Sequence, residues 1–112
     1  MAKLEDRLDD AVSRAELEKV KHLILQGADI EYRNPVGCTA LLSAAWIGSI
    51  EIIEYLLSLG ANINARDVDG SSALDMLIVI SEDDDIEQED GLPDMIRALE
   101  LRLAKSKLGH KL

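Results

Sequence analysis

Apolar residues fall three and four apart at Leu4, Leu8, Ala11 and Val12, and the same spacing resumes at Leu17, Val20, Leu23 and Ile24. Each run marks the buried stripe of one short helix. The polar stretch Ser13-Arg14-Ala15-Glu16 between them predicts a turn, and Gly27 ends the second helix, because glycine takes a positive φ just past a helix at little steric cost. The plan recurs as a helix over Thr39 to Ile47, a Gly48-Ser49 turn and a helix over Ile50 to Leu59 ending at Gly60; a third copy opens with Ser72 to Ile80. Between the helix pairs, residues 28–38 and 61–71 carry the turn signals Asn-Pro and Asp-Gly, which predict extended fingers with solvent-facing tips.

The copies are 33 residues apart. Gly27-Ala28-Asp29-Ile30 returns as Gly60-Ala61-Asn62-Ile63, Gly37-x-Thr39-Ala40-Leu41 returns as Gly70-x-Ser72-Ala73-Leu74, and Leu8, Ala11, Val20 and Leu23 fall on Leu41, Ala44, Ile53 and Leu56. A fixed period of this length is the mark of a stacked repeat, an architecture that binds more often than it catalyses. The stretch Asn34-Pro35-Val36-Gly37-Cys38-Thr39-Ala40-Leu41-Leu42-Ser43-Ala44-Ala45-Trp46-Ile47-Gly48, followed by Ile53, Leu56-Leu57, Gly60-Ala61-Asn62 and Asn64, resembles an ankyrin repeat almost position for position. The resemblance covers residues 3 to 80. Its departures are Ala40 and Leu42 where the family usually has proline and histidine, with Ala73 and Asp75 at the same places in the next copy, which should cost the helix start some rigidity.

The resemblance implies an all-α solenoid of about three helix-turn-helix repeats with finger-like loops. It divides a single domain, 1–112, into repeat 1 over about 3–33, repeat 2 over 34–66 and repeat 3 over 67–107, followed by a basic tail, 108–112. In the third copy the short turn expected after the inner helix is replaced by an acidic loop, 81–91. Aligning Ile96 with Ile53 gives a spacing of 43, an insertion of ten. Pro93 suits the first turn of the helix that follows, and Met95, Ile96, Leu99 and Leu103 mark its apolar face.

With 112 residues the chain is near the minimum of about three repeats that such a stack needs to bury its faces. Apolar residues make up 47% and aromatic ones 3%, which suits small-residue and Leu/Ile helix packing rather than a sheet sandwich. The Met-Ala-Lys-Leu-Glu-Asp start lacks an apolar signal core and no run of eighteen apolar residues occurs, so a cytoplasmic protein with no membrane partner is expected. One cysteine and two histidines provide neither an internal disulfide nor zinc-ligand spacing. No cofactor is expected.

The net charge of −10 is unevenly spread. Glu82, Asp83, Asp84, Asp85, Glu87, Glu89 and Asp90 hold seven of the 22 acidic residues, leaving fifteen acids against twelve bases elsewhere. Three readings apply to this loop: a solvated insertion, a docking surface for a basic partner, or a cation site. Counted from Asp83 or Asp85, the glycine an EF-hand loop needs at its sixth position is missing. Arg102, Lys105, Lys107 and Lys111 form the basic end of the chain, suited to a helix C-terminus. Nucleic acid is disfavoured as a partner by the charge.

By repeat position, the resemblance places Arg33, Pro35, Val36, Cys38, Trp46 and Ile47 of the second copy on the variable, concave side, with Arg66, Val68, Asp69, Ser71, Val79 and Ile80 their counterparts in the third and Ser13 and Arg14 in the first. Outward Trp, Val and Ile together would form an apolar partner site. The alternative has Trp46 and Ile47 packed on the neighbouring repeat, Val79 and Ile80 covered by the loop or last helix, and the two arginines paired with Asp67 or Asp69. Catalysis has little to stand on: His22, His110 and Cys38 lack the partners that activate a nucleophile, and the glycines follow the repeat rather than a phosphate-cradle spacing. The expected function is therefore non-catalytic protein binding through finger loops and the concave helix face. Two alternatives accompany it, an acidic inhibitor, antitoxin or immunity protein that blocks a basic enzyme or toxin, and a self-associating homodimer.

Overall fold

The computed structural model describes residues 3–82 and 91–109, the last five in backbone only. Among these residues six helices follow one another: α1 (Leu4–Ser13), α2 (Leu17–Leu25), α3 (Ala40–Ile47), α4 (Ile50–Ser58), α5 (Ala73–Glu82) and α6 (Leu92–Gly109). The inner helices α1, α3 and α5 pack in series; α2, α4 and α6 each lie behind one of them.

The central layer explains why α3 carries apolar residues nearly all round. Ala40, Leu41, Leu42, Ala44 and Ala45 are all buried, because α1 covers one side, α5 another and α4 the back. The alanines let the inner helices approach closely, while Val20, Leu23, Ile53, Leu56 and Leu77 fill the space between inner and outer rows. Ile24 is only partly buried. On α6, Met95 and Leu99 are buried as their spacing predicts, and Leu92 joins them. Ile96 is half-buried where its counterpart Ile53 is fully enclosed, since among the described residues no further helix packs beyond α6.

Helix ends repeat in atomic detail. The N–H of Gly48 donates to the Ala45 carbonyl (3.1 Å) and that of Ser49 to Ala44 (3.0 Å); one repeat earlier Ala15 donates to Val12 and Glu16 to Ala11, both at 2.9 Å. This turn requires a left-handed residue. Gly48 supplies it at φ +74°, whereas Ala15 is forced to φ +58°, a conformation that crowds its Cβ.

The departures at residues 40, 42, 73 and 75 do not leave the inner helices uncapped. Thr39 Oγ1 accepts from the Leu42 N–H (3.3 Å), and Leu42 is fully buried where the family's histidine would stand. In the third copy Asp75 completes a reciprocal cap, its Oδ2 accepting from the Ser72 N–H (3.0 Å) while its own N–H donates to Ser72 Oγ (3.2 Å). The expected start of the acidic loop at residue 81 is corrected: Ser81 and Glu82 form the last residues of α5. Asp83, Asp84, Asp85, Glu87, Glu89 and Asp90 lie outside the described residues. The basic tail expected from residue 108 begins inside a helix, because α6 continues to Gly109; His110 and Lys111 lie outside the described residues.

Candidate functional site

Each finger is shaped by one side chain that mimics a turn of backbone. Asn34 Oδ1 accepts from the N–H groups of Val36 (3.1 Å) and Cys38 (2.9 Å), and Asp67 Oδ1 accepts from those of Asp69 and Ser71, both at 2.9 Å. The tips therefore present Pro35 and Val68, and Val36 and Asp69, at equivalent places. In finger 2 a single antiparallel bridge joins Arg66 to Ser72.

The tips and the ends of the inner helices enclose a groove of about 460 Å³. Its lining is Asp9 and Ser13 from α1, Asn34, Val36 and Cys38 from finger 1, Ser43, Trp46 and Ile47 from α3, Asp67, Val68 and Asp69 from finger 2, and Met76 from α5. Trp46 is a ridge rather than a wall. On its other side lies a second hollow of about 230 Å³, lined by Ser71, Asp75, Met76, Val79 and Ile80.

Exposure separates the two readings of these apolar residues. Val36 is 61% exposed, Trp46 72%, Ile47 39%, Val68 75% and Val79 67%, so packing on a neighbouring repeat does not cover them. Ile80 is partly buried and reaches Gly48 across the repeat. The exposed patch is continuous with two hollows, the geometry that marks interaction surfaces.

The arginines are engaged differently from either expectation. Arg33 Nη1 donates to the carbonyls of Gly37 (2.7 Å) and Arg66 (2.6 Å), tying finger 1 to finger 2. Arg66 Nη1 donates to the Gly70 carbonyl (2.7 Å) and lies 3.5 Å from Asp75 Oδ2. Neither is paired with Asp67 or Asp69; Asp67 Oδ1 accepts from the N–H groups of Asp69 and Ser71 instead. Arg14 pairs with Asp10 at 3.1 Å on the exposed flank of α1, leaving Ser13 to face the groove.

Cys38 is half-buried, and its thiol is pushed above the usual cysteine range, first by burial and then by the negative charges of Asp67 and Asp9. It stays protonated at neutral pH, which is the wrong state for a nucleophile. His22 sits on the exposed outer helix α2, with a ring nitrogen 3.0 Å from Gln26 Nε2. Among the described residues no cluster of three His, Cys, Asp or Glu side chains is placed to hold a metal ion, and no helix is long and apolar enough to cross a membrane.

Sequence reasoning missed Asp9, Ser43 and Met76. Asp9 Oδ1 accepts from Asn34 Nδ2 (3.1 Å) and Ser43 Oγ (3.2 Å), so it stitches α1 to the next finger and helix while facing the groove. The signal was the repeat offset: Ser43 and Met76 are 33 apart, next to the Trp46 and Val79 register that was recognised. Met76 is buried, yet its edge lines both hollows.

Comparison with known proteins agrees with this architecture. The family described as "Ankyrin repeats (3 copies)" matches residues 8–88. The human Protein phosphatase 1 regulatory subunit 27 is 41% identical over 70 residues, 62% of this chain and 46% of that protein. The rat Ankyrin repeat and SAM domain-containing protein 6 is 33% identical over 75 residues, 66% of this chain but 8% of that protein. Potassium channel AKT1 of Arabidopsis thaliana is 32% identical over 66 residues, 59% of this chain and 8% of the channel. The chain thus matches less than half the length of each of these relatives. Six helices in the described residues, two fingers in one register and a family match over most of the chain lead to one conclusion: this protein belongs to the ankyrin-repeat family.

Proposed function

We propose that the chain is a non-catalytic, cytoplasmic module that holds a basic protein partner in the concave groove. The observation that carries this reading is the apolar surface of Val36, Trp46, Ile47, Val68 and Val79, exposed beside Asp9, Asp67 and Asp69 with no lysine or arginine among the residues lining the groove. Burial of such a patch supplies affinity, and the one-sign rim selects and steers a cationic partner. Arg33 and Arg66 contribute chiefly by fixing the fingers, while Cys38, Asp69, Ser71 and Ile80 complete the contact surface.

Regulation of a partner enzyme is a second reading, favoured by the printed name of the human relative, a phosphatase regulatory subunit. In that case the chain acts as an inhibitor of a basic enzyme, with the 82–90 acidic residues as an additional anionic element. The test is capture of partners from source-cell lysate by wild type and by a Trp46→Ala/Ile47→Ala variant, at low and high salt. A basic protein retained by wild type and lost with the variant is the expected outcome. Capture that ignores both the variant and salt sinks the groove as the site, and mass that rises with concentration in the absence of lysate would replace a foreign partner with a second copy of this chain.

A further inference from the structure

The larger hollow brings together an exposed indole and uncompensated carboxylates. Trp46 closes one side with most of its surface in solvent. Asp69 receives no hydrogen bond from the described residues, and Asp67 spends only Oδ1, on two backbone N–H groups. The nearby bases do not pair with them directly: Arg33 is held by two carbonyls, and Arg66 by a carbonyl and Asp75, so Arg33 offsets the field only from a distance. The raised thiol of Cys38 reports the same field, since after burial its causes are Asp67 and Asp9, which outweigh the opposing charge of Arg33.

A wholly apolar side chain placed here would desolvate the carboxylates without pairing them, which costs more than it returns. A lysine would bring charge as a compact, strongly hydrated point. A guanidinium is flat and weakly hydrated, stacks on an indole face and forks onto carboxylate oxygens. Resting on the protein-binding reading, we propose that the larger hollow is an arginine-recognition subsite, with the side-chain stem over Val68 and the guanidinium between Trp46 and the Asp67 and Asp69 carboxylates. The smaller hollow beyond Trp46, walled by Val79, accepts an aliphatic neighbour on the same partner segment. The recognised element is thus an exposed protein segment in which an arginine and an aliphatic residue are adjacent.

The chain contains one tryptophan, so its fluorescence reports on the two hollows that flank Trp46 and on no other part of the chain. The probes are N-acetyl-arginine amide, its uncharged near-isostere N-acetyl-citrulline amide, and N-acetyl-leucine amide, titrated into the intact chain. The arginine probe should give a saturable change at millimolar concentration, the range of a single side chain, and citrulline should bind roughly tenfold more weakly. An Asp67→Asn/Asp69→Asn variant should lose the same preference while keeping its fold, because Asn34 already makes the Asp67 turn in finger 1. Equal binding of citrulline, or an unchanged preference in the variant, overturns the arginine subsite; a leucine probe that then saturates leaves the concave face as a neutral binding site. Absence of a saturable response to all three probes overturns the subsite, and the lysate capture by wild type against the Trp46 variant then decides the broader reading separately.

Discussion

Finger 1 and finger 2 have the same turn chemistry and different surroundings. Asn34 and Asp67 make the same two backbone contacts, Gly37 and Gly70 have φ +80° and +82°, and Arg33 and Arg66 each reach the glycine carbonyl four residues on. Finger 1, however, is braced on both flanks. Its Asp29 N–H donates to Glu5 Oε2 (2.9 Å), Asn34 is held by Asp9, and Arg33 reaches across to Arg66. Finger 2 receives Glu31 Oε2 at the Asn62 N–H (2.9 Å) on one flank, but Gly70 faces open space where Gly37 abuts Val68. Identical local structure is therefore unequally braced by the described residues, and the less braced finger is the one that carries Val68 and Asp69 to the groove.

The largest expected effect removes the layer beneath both fingers. Leu56 is fully buried in α4, and Leu56→Ala should cost about 2–5 kcal/mol in denaturant unfolding and loosen both fingers alike. Loosening of finger 2 alone in amide exchange would mean that finger 1 stands on α1 rather than on this core.

Gly37 and Gly70 divide next. An added Cβ at Gly37 meets Val68 Cγ1 at 2.7 Å and the Val68 backbone N at 3.1 Å, whereas nothing lies within 4 Å at Gly70. Gly37→Ala should cost roughly 2–4 kcal/mol, combining the positive-φ penalty with overpacking, and Gly70→Ala about 1 kcal/mol from φ alone. Equal costs would erase the contact between fingers as an energetic term.

Arg33→Met should cost about 1–2 kcal/mol, since two carbonyls lose a charged donor, and Arg66→Met less than about 1 kcal/mol because its ion pair is solvent-exposed. Exchange protection at the finger amides distinguishes the two variants. The same comparison of equivalent positions extends to the turns between helices: Ala15→Gly should raise stability by about 0.5–1 kcal/mol, because glycine relieves at residue 15 what Gly48 never suffers. A loss on that substitution would show that the φ of +58° is not strained.

The smallest effect is a pH dependence confined to the third copy. The Asp75 carboxyl lies below its ordinary value of 3.8, chiefly because it accepts the Ser72 N–H, with the Ser72 hydroxyl and Arg66 adding to this. The unfolded chain therefore binds the proton more readily. Its contribution is fully present above pH 3.8 and is lost as pH falls through the lower folded value, so Asp75→Asn should flatten the stability curve in that acid window by lowering stability slightly at neutral pH while leaving it unchanged below the folded value. Solvent exposure keeps the change small.

Much of this was legible in the sequence. Helices α1 to α4 have the boundaries that the apolar spacing and the glycines predict, within a residue, because each is closed by local hydrogen bonds that recur every 33 residues. The outward positions of Val36, Trp46, Val68 and Val79 were legible by repeat register, but their exposure was not. Trp46 has the same sequence whether or not a further element covers it. Arg33 could not be told from a contact residue, since both of its acceptors are main-chain carbonyls, one of them 33 residues away. Asp9 and Met76 were hidden for a related reason: one looks like a solvated helix acid and the other like core, and each becomes groove lining only when α1, α3 and α5 stand side by side.

By itself, then, the sequence determined the repeat, the helices, the turns and the core, all of which depend on spacing along the chain and on backbone hydrogen bonds a few residues long. The tertiary structure decided which of two equivalent fingers is braced, which apolar residues stay bare and which carboxylates share a groove without a base. Those properties depend on what lies across a gap between repeats, and a periodic sequence writes the same residue types on both sides of that gap whether a neighbour fills it or solvent does.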